Sequence, residues 1–115
     1  PLFQKRLHLV LRMALLVAVI VGLNQVAAAF GLAELLEGYQ DLVLAGFMTH
    51  MCVNSTARSA FSGGYVPTVV AAATATRALP GVHGTVPASE VHDAALAGLA
   101  DLPAIVVPDQ KAVPS

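Results

Sequence analysis

The run Leu42-Val43-Leu44-Ala45, closed by Gly46 and followed at once by an apolar pattern of helical period, constrains this chain more than any other stretch. Four consecutive apolar residues without alternation suit a strand buried on both faces, as in a parallel sheet. Gly46 is expected to end that strand. Thr49 then stands where an N-cap hydroxyl accepts an amide of the first helical turn. Val53, Ala57, Ala60 and Phe61 recur at helical spacing until Gly63-Gly64 stops the helix.

This order places Cys52, the single cysteine of the chain, in the first turn of a helix just beyond the carboxyl end of a strand. First-turn amides and the positive end of the helix dipole favour thiolate over thiol. The same amides could hold an oxyanion. The competing reading is a buried cysteine acting as a small hydrophobe.

Residues 65–71 are rich in β-formers, with Pro67 near the start where a missing amide matters least. They complete a βαβ unit, whose right-handed crossover puts Cys52 at the carboxyl edge of the sheet, where open α/β folds bind ligands. Residues 73–86 carry Pro80, Gly81 and Gly84 and read as a loop, with Thr74, Thr76, Arg77 and His83 near the mouth of that edge. Val91, Ala95 and Leu99 lie four apart and predict a second helix over residues 88–100, with Pro87 at its first turn. Ala104-Ile105-Val106-Val107 predicts a third buried strand, and the tail after it reads as frayed. Ahead of the first strand, Leu32, Leu35 and Leu36 share one face of a short helix, with Glu34 and Glu37 outward.

The segment Gly46-Phe47-Met48-Thr49-His50-Met51-Cys52-Val53, followed by Ser55-Thr56-Ala57-Arg58-Ser59-Ala60, closely resembles the nucleophile segment of the isochorismatase-like cysteine hydrolases. The resemblance continues through Gly64-Tyr65-Val66, Val69-Val70, Ala73-Thr74-Ala75-Thr76-Arg77, Leu79-Pro80 and Val91-His92 to the alanine-rich stretch ending at Asp101. It covers residues 32–107, the C-terminal half of such a domain. The resemblance implies a three-layer α/β fold, Rossmann-like, with a mostly parallel sheet flanked by helices, here truncated. It also implies an aspartate, lysine and cysteine triad in which Cys52 is the nucleophile. The peptide between Phe47 and Met48 would be cis, turning the amides of Met48 and Cys52 toward a developing oxyanion. The other two triad members find no match: no aspartate precedes Asp41, and the lysine position falls in the apolar run around Val19. Ala72 and Ala78 stand where aspartates are common in the family.

The chain divides into residues 1–30, which do not match the family, residues 31–108, which do, and a tail of residues 109–115. Lys5, Arg6 and Arg12 precede an uninterrupted apolar run over residues 13–23. That pattern suits an export signal, a membrane helix or a core helix covered on several sides. The family comparison disfavours the first two, and the abrupt change near Gly31 also suits a shifted reading frame joined to an authentic C-terminal half. At 57% hydrophobic and 11% charged, part of this chain needs a protein or lipid cover. Six basic residues against seven acidic ones give no electrostatic footprint for nucleic acid. One cysteine forms no internal disulfide, and no Cys and His cluster has zinc spacing.

The expected function is a cysteine hydrolase that cleaves a C–N bond of a small amide or related molecule through a covalent Cys52 intermediate. It needs no metal or organic cofactor, works in the cytoplasm and forms a homo-oligomer, and as this fragment it is feeble or inactive. His50, Thr49 and Arg77 are candidate substrate contacts. His50 as the base for Cys52 is disfavoured, because side chains two apart on a helix diverge. His92 is expected to bond a neighbouring backbone group, and Arg58 to serve the surface or an ion pair. The alternatives are a non-catalytic membrane-associated or partner-binding protein, exported or anchored through residues 5–30, and a remnant without function.

Overall fold

Asp41–Phe47 forms strand β1, in which Leu42, Val43, Leu44 and Ala45 are all buried, as an uninterrupted apolar run in a parallel sheet requires. The computed structural model describes Glu34 and residues 36–114. The apolar segment of residues 1–30, together with Leu32 and Leu35, lies outside the described residues. Leu36 is buried in the core, while Glu34 and Glu37 face outward. The Glu37 amide donates to the Glu34 carbonyl at 3.2 Å, and that of Tyr39 to the Leu36 carbonyl at 2.9 Å.

The chain leaves β1 through a five-residue π-helical turn, Thr49–Val53, that runs directly into helix α1, Asn54–Ser62. Thr49, Val53, Ala57 and Ala60 are the buried positions of this segment. Its end is a Schellman motif. The Tyr65 amide donates to the Ala60 carbonyl at 3.0 Å and the Gly64 amide to the Phe61 carbonyl at 3.1 Å, with Gly64 at φ +87°.

Strand β2, Val66–Ala75, pairs parallel with β1 and, on its other side, with β5, Ile105–Val107. The three-stranded sheet has the order β1-β2-β5. Between β2 and β5 lie the short strands β3, Leu79–Gly81, and β4, Gly84–Val86, and then helix α2, Ala88–Asp101. Both crossovers run the same way across the sheet, and α1 touches α2. With right-handed connections the two helices therefore share one face. The core joins Leu44, Val69 and Val70 of the sheet to Val53 and Ala57 below the turn and to Leu96 and Leu99 of α2. The architecture is α/β, a mostly parallel sheet flanked by helices.

Four sequence expectations need correction. Gly46 does not end β1, which continues to Phe47 with Gly46 at φ +126°. It accommodates a break in register, since Leu44 faces Val69 but Gly46 faces Thr74. β2 therefore carries a wide bulge over residues 70–73, closed where the Thr74 hydroxyl donates to the Ala71 carbonyl at 3.0 Å. Residues 73–86 are not a loop throughout. β2 runs on to Ala75, and β3 and β4 form an antiparallel hairpin turned at Val82 and His83. In α2 the fully inward residues are Leu96 and Leu99, with Val91 and Ala95 only half-buried. The tail is structured to Val113. Asp109 accepts the Lys111 amide at 2.8 Å at the head of a 3-10 turn, Gln110–Ala112, and Val113 packs against the core.

Candidate functional site

The carboxyl end of β1 delivers the chain into the turn that carries Cys52, and the Phe47–Met48 peptide between them is cis. The turn has no local side-chain cap. Met48 occupies the cap position with extended backbone, φ −97° and ψ 145°, and its side chain bonds nothing there. The amides of Met51 and Val53 both reach the Met48 carbonyl, at 3.0 and 3.3 Å. The second of these spans five residues, the wide spacing of a π turn. Cys52 is half-buried and in no disulfide, and Phe47 and Met51, both ahead of it in sequence, are exposed at 60% and 47%.

Two long-range side-chain bonds hold this turn instead of a cap. The hydroxyl of Thr49, fully buried, shares a hydrogen bond of 2.9 Å with Nδ1 of His92 on α2. Nδ1 of His50 shares one of 2.6 Å with the Thr76 hydroxyl just past β2. Adjacent residues thus tie the turn in two directions, one to the helical layer and one to the sheet edge. The β2 bulge makes the second tie reachable, because it swings the end of the strand back beside Gly46 and Phe47.

Thr49 is therefore not the N-cap that its hydroxyl and position suggest. It is the first residue of the turn, and its hydroxyl is committed to a residue 43 positions away. His92 bonds that side chain rather than a neighbouring backbone group. Thr76 is half-buried against His50, whereas Arg77 and His83 are exposed. Arg58 donates through Nε to the Asn54 side chain at 2.7 Å on the surface of α1. Its guanidinium passes over Gly98 of α2. Thr76 and His92 are the site-framing residues whose partners sequence spacing did not indicate. Among the described residues, no group of three or more His, Cys, Asp or Glu side chains could hold a metal ion. None of the described helices is long and apolar enough to cross a membrane.

The isochorismatase domain model matches residues 23–110. An uncharacterized isochorismatase family protein of Bacillus subtilis strain 168, YddQ, is 48% identical over 63 residues, which cover 55% of this chain and 35% of that protein. Among solved structures, an isochorismatase from Pseudomonas putida KT2440 matches with a TM-score of 0.64 and 40% identity, over 71% of this chain and 41% of that one. An isochorismatase-like hydrolase from Alkaliphilus metalliredigens matches with a TM-score of 0.52 and 28% identity, over 74% and 41%. The chain thus spans 35% of the length of the curated relative and 41% of each of these solved chains. A domain match over most of the chain, together with these relatives, places it in the isochorismatase family.

Proposed function

We propose that this chain carries the nucleophile half of a cysteine hydrolase acting on a C–N bond of a small amide or related molecule. The observation that carries the reading is the position of Cys52, half-buried in the first turn beyond the carboxyl end of β1 and tied to both sheet and helix. In this reaction the Cys52 Sγ bonds the substrate carbonyl carbon, and the amides of Met48 and Cys52 receive the negative oxygen. Collapse breaks the C–N bond, and the amine leaves with a proton. Water then attacks the thioester, releasing the acid and restoring the thiol. An aspartate accepts the thiol proton and a lysine balances its charge, and neither is assigned among the described residues. His50, Thr49 and Arg77 are proposed to shape or contact the substrate pocket, with Arg77 the exposed cation available to an anionic group.

Without a positioned base the rate falls by about 10²–10⁴, so full activity depends on that aspartate being in place. The reaction uses no metal or organic cofactor. A free catalytic thiol fits a reducing compartment, the cytoplasm. The exposed apolar side chains Phe61, Leu102 and Ile105 fit burial against a second copy.

The test is alkylation of Cys52 by iodoacetamide, followed by intact mass across pH 5–9, in the folded chain and in the same chain unfolded in urea. Faster labelling of the folded chain at about pH 6, by about tenfold or more, is expected of a nucleophile activated by its folded surroundings. Equal or slower labelling of the folded chain overturns the reading. Cys52→Ala should abolish both labelling and any release of ammonia from small primary amides.

A further inference from the structure

The turn bearing Cys52 lacks the local device that normally fixes a helix start. Its cap position is filled by Met48 without a side-chain bond, and its backbone ladder begins with the wide spacing of a π turn. Its placement is left to distant partners, and the more deeply buried of them is the pair Thr49 and His92. Thr49 lies three residues before Cys52 in the same five-residue turn, so a shift of one carries the other. His92 is a firm anchor, because α2 is fixed to the sheet by Leu96 and fully buried Leu99 on the following turns.

From this geometry we infer that His92 is a positioning residue for the chemistry at Cys52. Through Nδ1 it holds the buried Thr49 hydroxyl and so sets where the nucleophile's turn sits against α2. His92 itself touches neither substrate nor thiol in this role. The inference rests on the nucleophile reading of Cys52, and it adds a residue from a separate helix, 40 positions further along the chain, on which the aim of the thiol depends.

The bond chemistry supplies a discriminating set of substitutions. Asparagine places a polar atom near the position of Nδ1, whereas glutamine places one near Nε2, so only the first can take over the bond to Thr49. The experiment measures the alkylation rate of Cys52 in the folded full chain for His92→Leu, Thr49→Val, their double variant, His92→Asn and His92→Gln. Alkylation reads the activation and access of the thiol, both set by where the turn sits, so the Leu and Val variants should each slow labelling by about tenfold or more. The double variant should be no slower than either single one, because both remove the same bond. His92→Asn should return most of the rate, and His92→Gln should not. A role confined to stability would lower the urea midpoint of these variants without moving the labelling rate of their folded fraction.

Wild-type labelling with His92→Leu or His92→Gln overturns the inference and leaves the nucleophile reading standing. Additive slowing in the double variant overturns it as well. A wild-type chain that labels no faster folded than unfolded overturns the nucleophile reading and this inference with it. If the Leu and Val variants do not fold, the comparison of His92→Asn with His92→Gln decides the question.

Discussion

Replacing Leu44 with alanine tests whether the β1 run is the keystone of the sheet. Leu44 is fully buried and faces Val69 of β2, itself fully buried, in the register immediately before the bulge. The substitution removes three carbons from water-free packing, about 2.4 kcal/mol at about 0.8 kcal/mol for each. A cavity in a strand paired on this side and packed on both faces relaxes poorly, which brings the expected loss to about 3–5 kcal/mol. Small domains are stabilised by about 5–15 kcal/mol in all, so a large share of the total disappears. Urea unfolding followed by circular dichroism reads this directly. With a slope of about 1–3 kcal/mol/M, the midpoint should fall by about 2 M. Val82→Ala, at the tip of the hairpin and 96% exposed, is the control, and should change stability by less than about 0.5 kcal/mol. If the two variants unfold at the same urea concentration, β1 is not buried on both faces as described and the placement of the Cys52 turn fails with it.

Other outcomes follow from the same geometry. Gly64→Ala should destabilise by about 1–2 kcal/mol because Gly64 sits at φ +87°, whereas Gly63→Ala, at φ −81° with its nearest neighbours at 3.4 Å, should stay within about 0.5 kcal/mol, both read from urea midpoints. A Cβ on Gly81 would lie 2.8 Å from the Gly84 carbonyl oxygen, so Gly81→Ala should abolish the amide exchange protection of the β3–β4 hairpin while leaving that of β1 and β2. Thr76→Val should cost about 0.5–1.5 kcal/mol through loss of the His50 bond, measured by thermal unfolding. Asp109→Ala should lower stability by about 0.5–1 kcal/mol and loosen exchange at the Lys111 amide.

Much of the sheet was legible because its signals are local. The apolar run at Leu42 and the Gly63-Gly64 stop each act through neighbours in sequence, and each lies where its residue types demand. The hairpin at Leu79–Gly81 and Gly84–Val86 was hidden because strands of three residues rich in glycine and proline carry no period. Gly46 misled for a related reason. A glycine that ends a strand and one that lets a strand pass a bulge look alike in sequence, and only the partner strand's extra residues distinguish them. At the site, the placing of Cys52 in a turn just beyond the strand was legible, but the role of Thr49 was misread. Its hydroxyl has two suitable fates, a nearby amide or a distant imidazole, and which one wins depends on where α2 packs.

The bulge in β2 also separates the parts of this domain that must stay fixed from those free to vary. Before it, Thr68 and Val69 are locked between two strands. After it come Thr76, Arg77 and the hairpin, and between lie three alanines, Ala71, Ala72 and Ala73, none of them fully buried. A residue gained or lost among those alanines would redirect everything beyond it while the core register remained unchanged. The carboxyl edge can therefore be shifted in small steps whose cost falls on the Thr76 tie to His50 and not on the core. A lineage could move that edge without passing through sequences that do not fold.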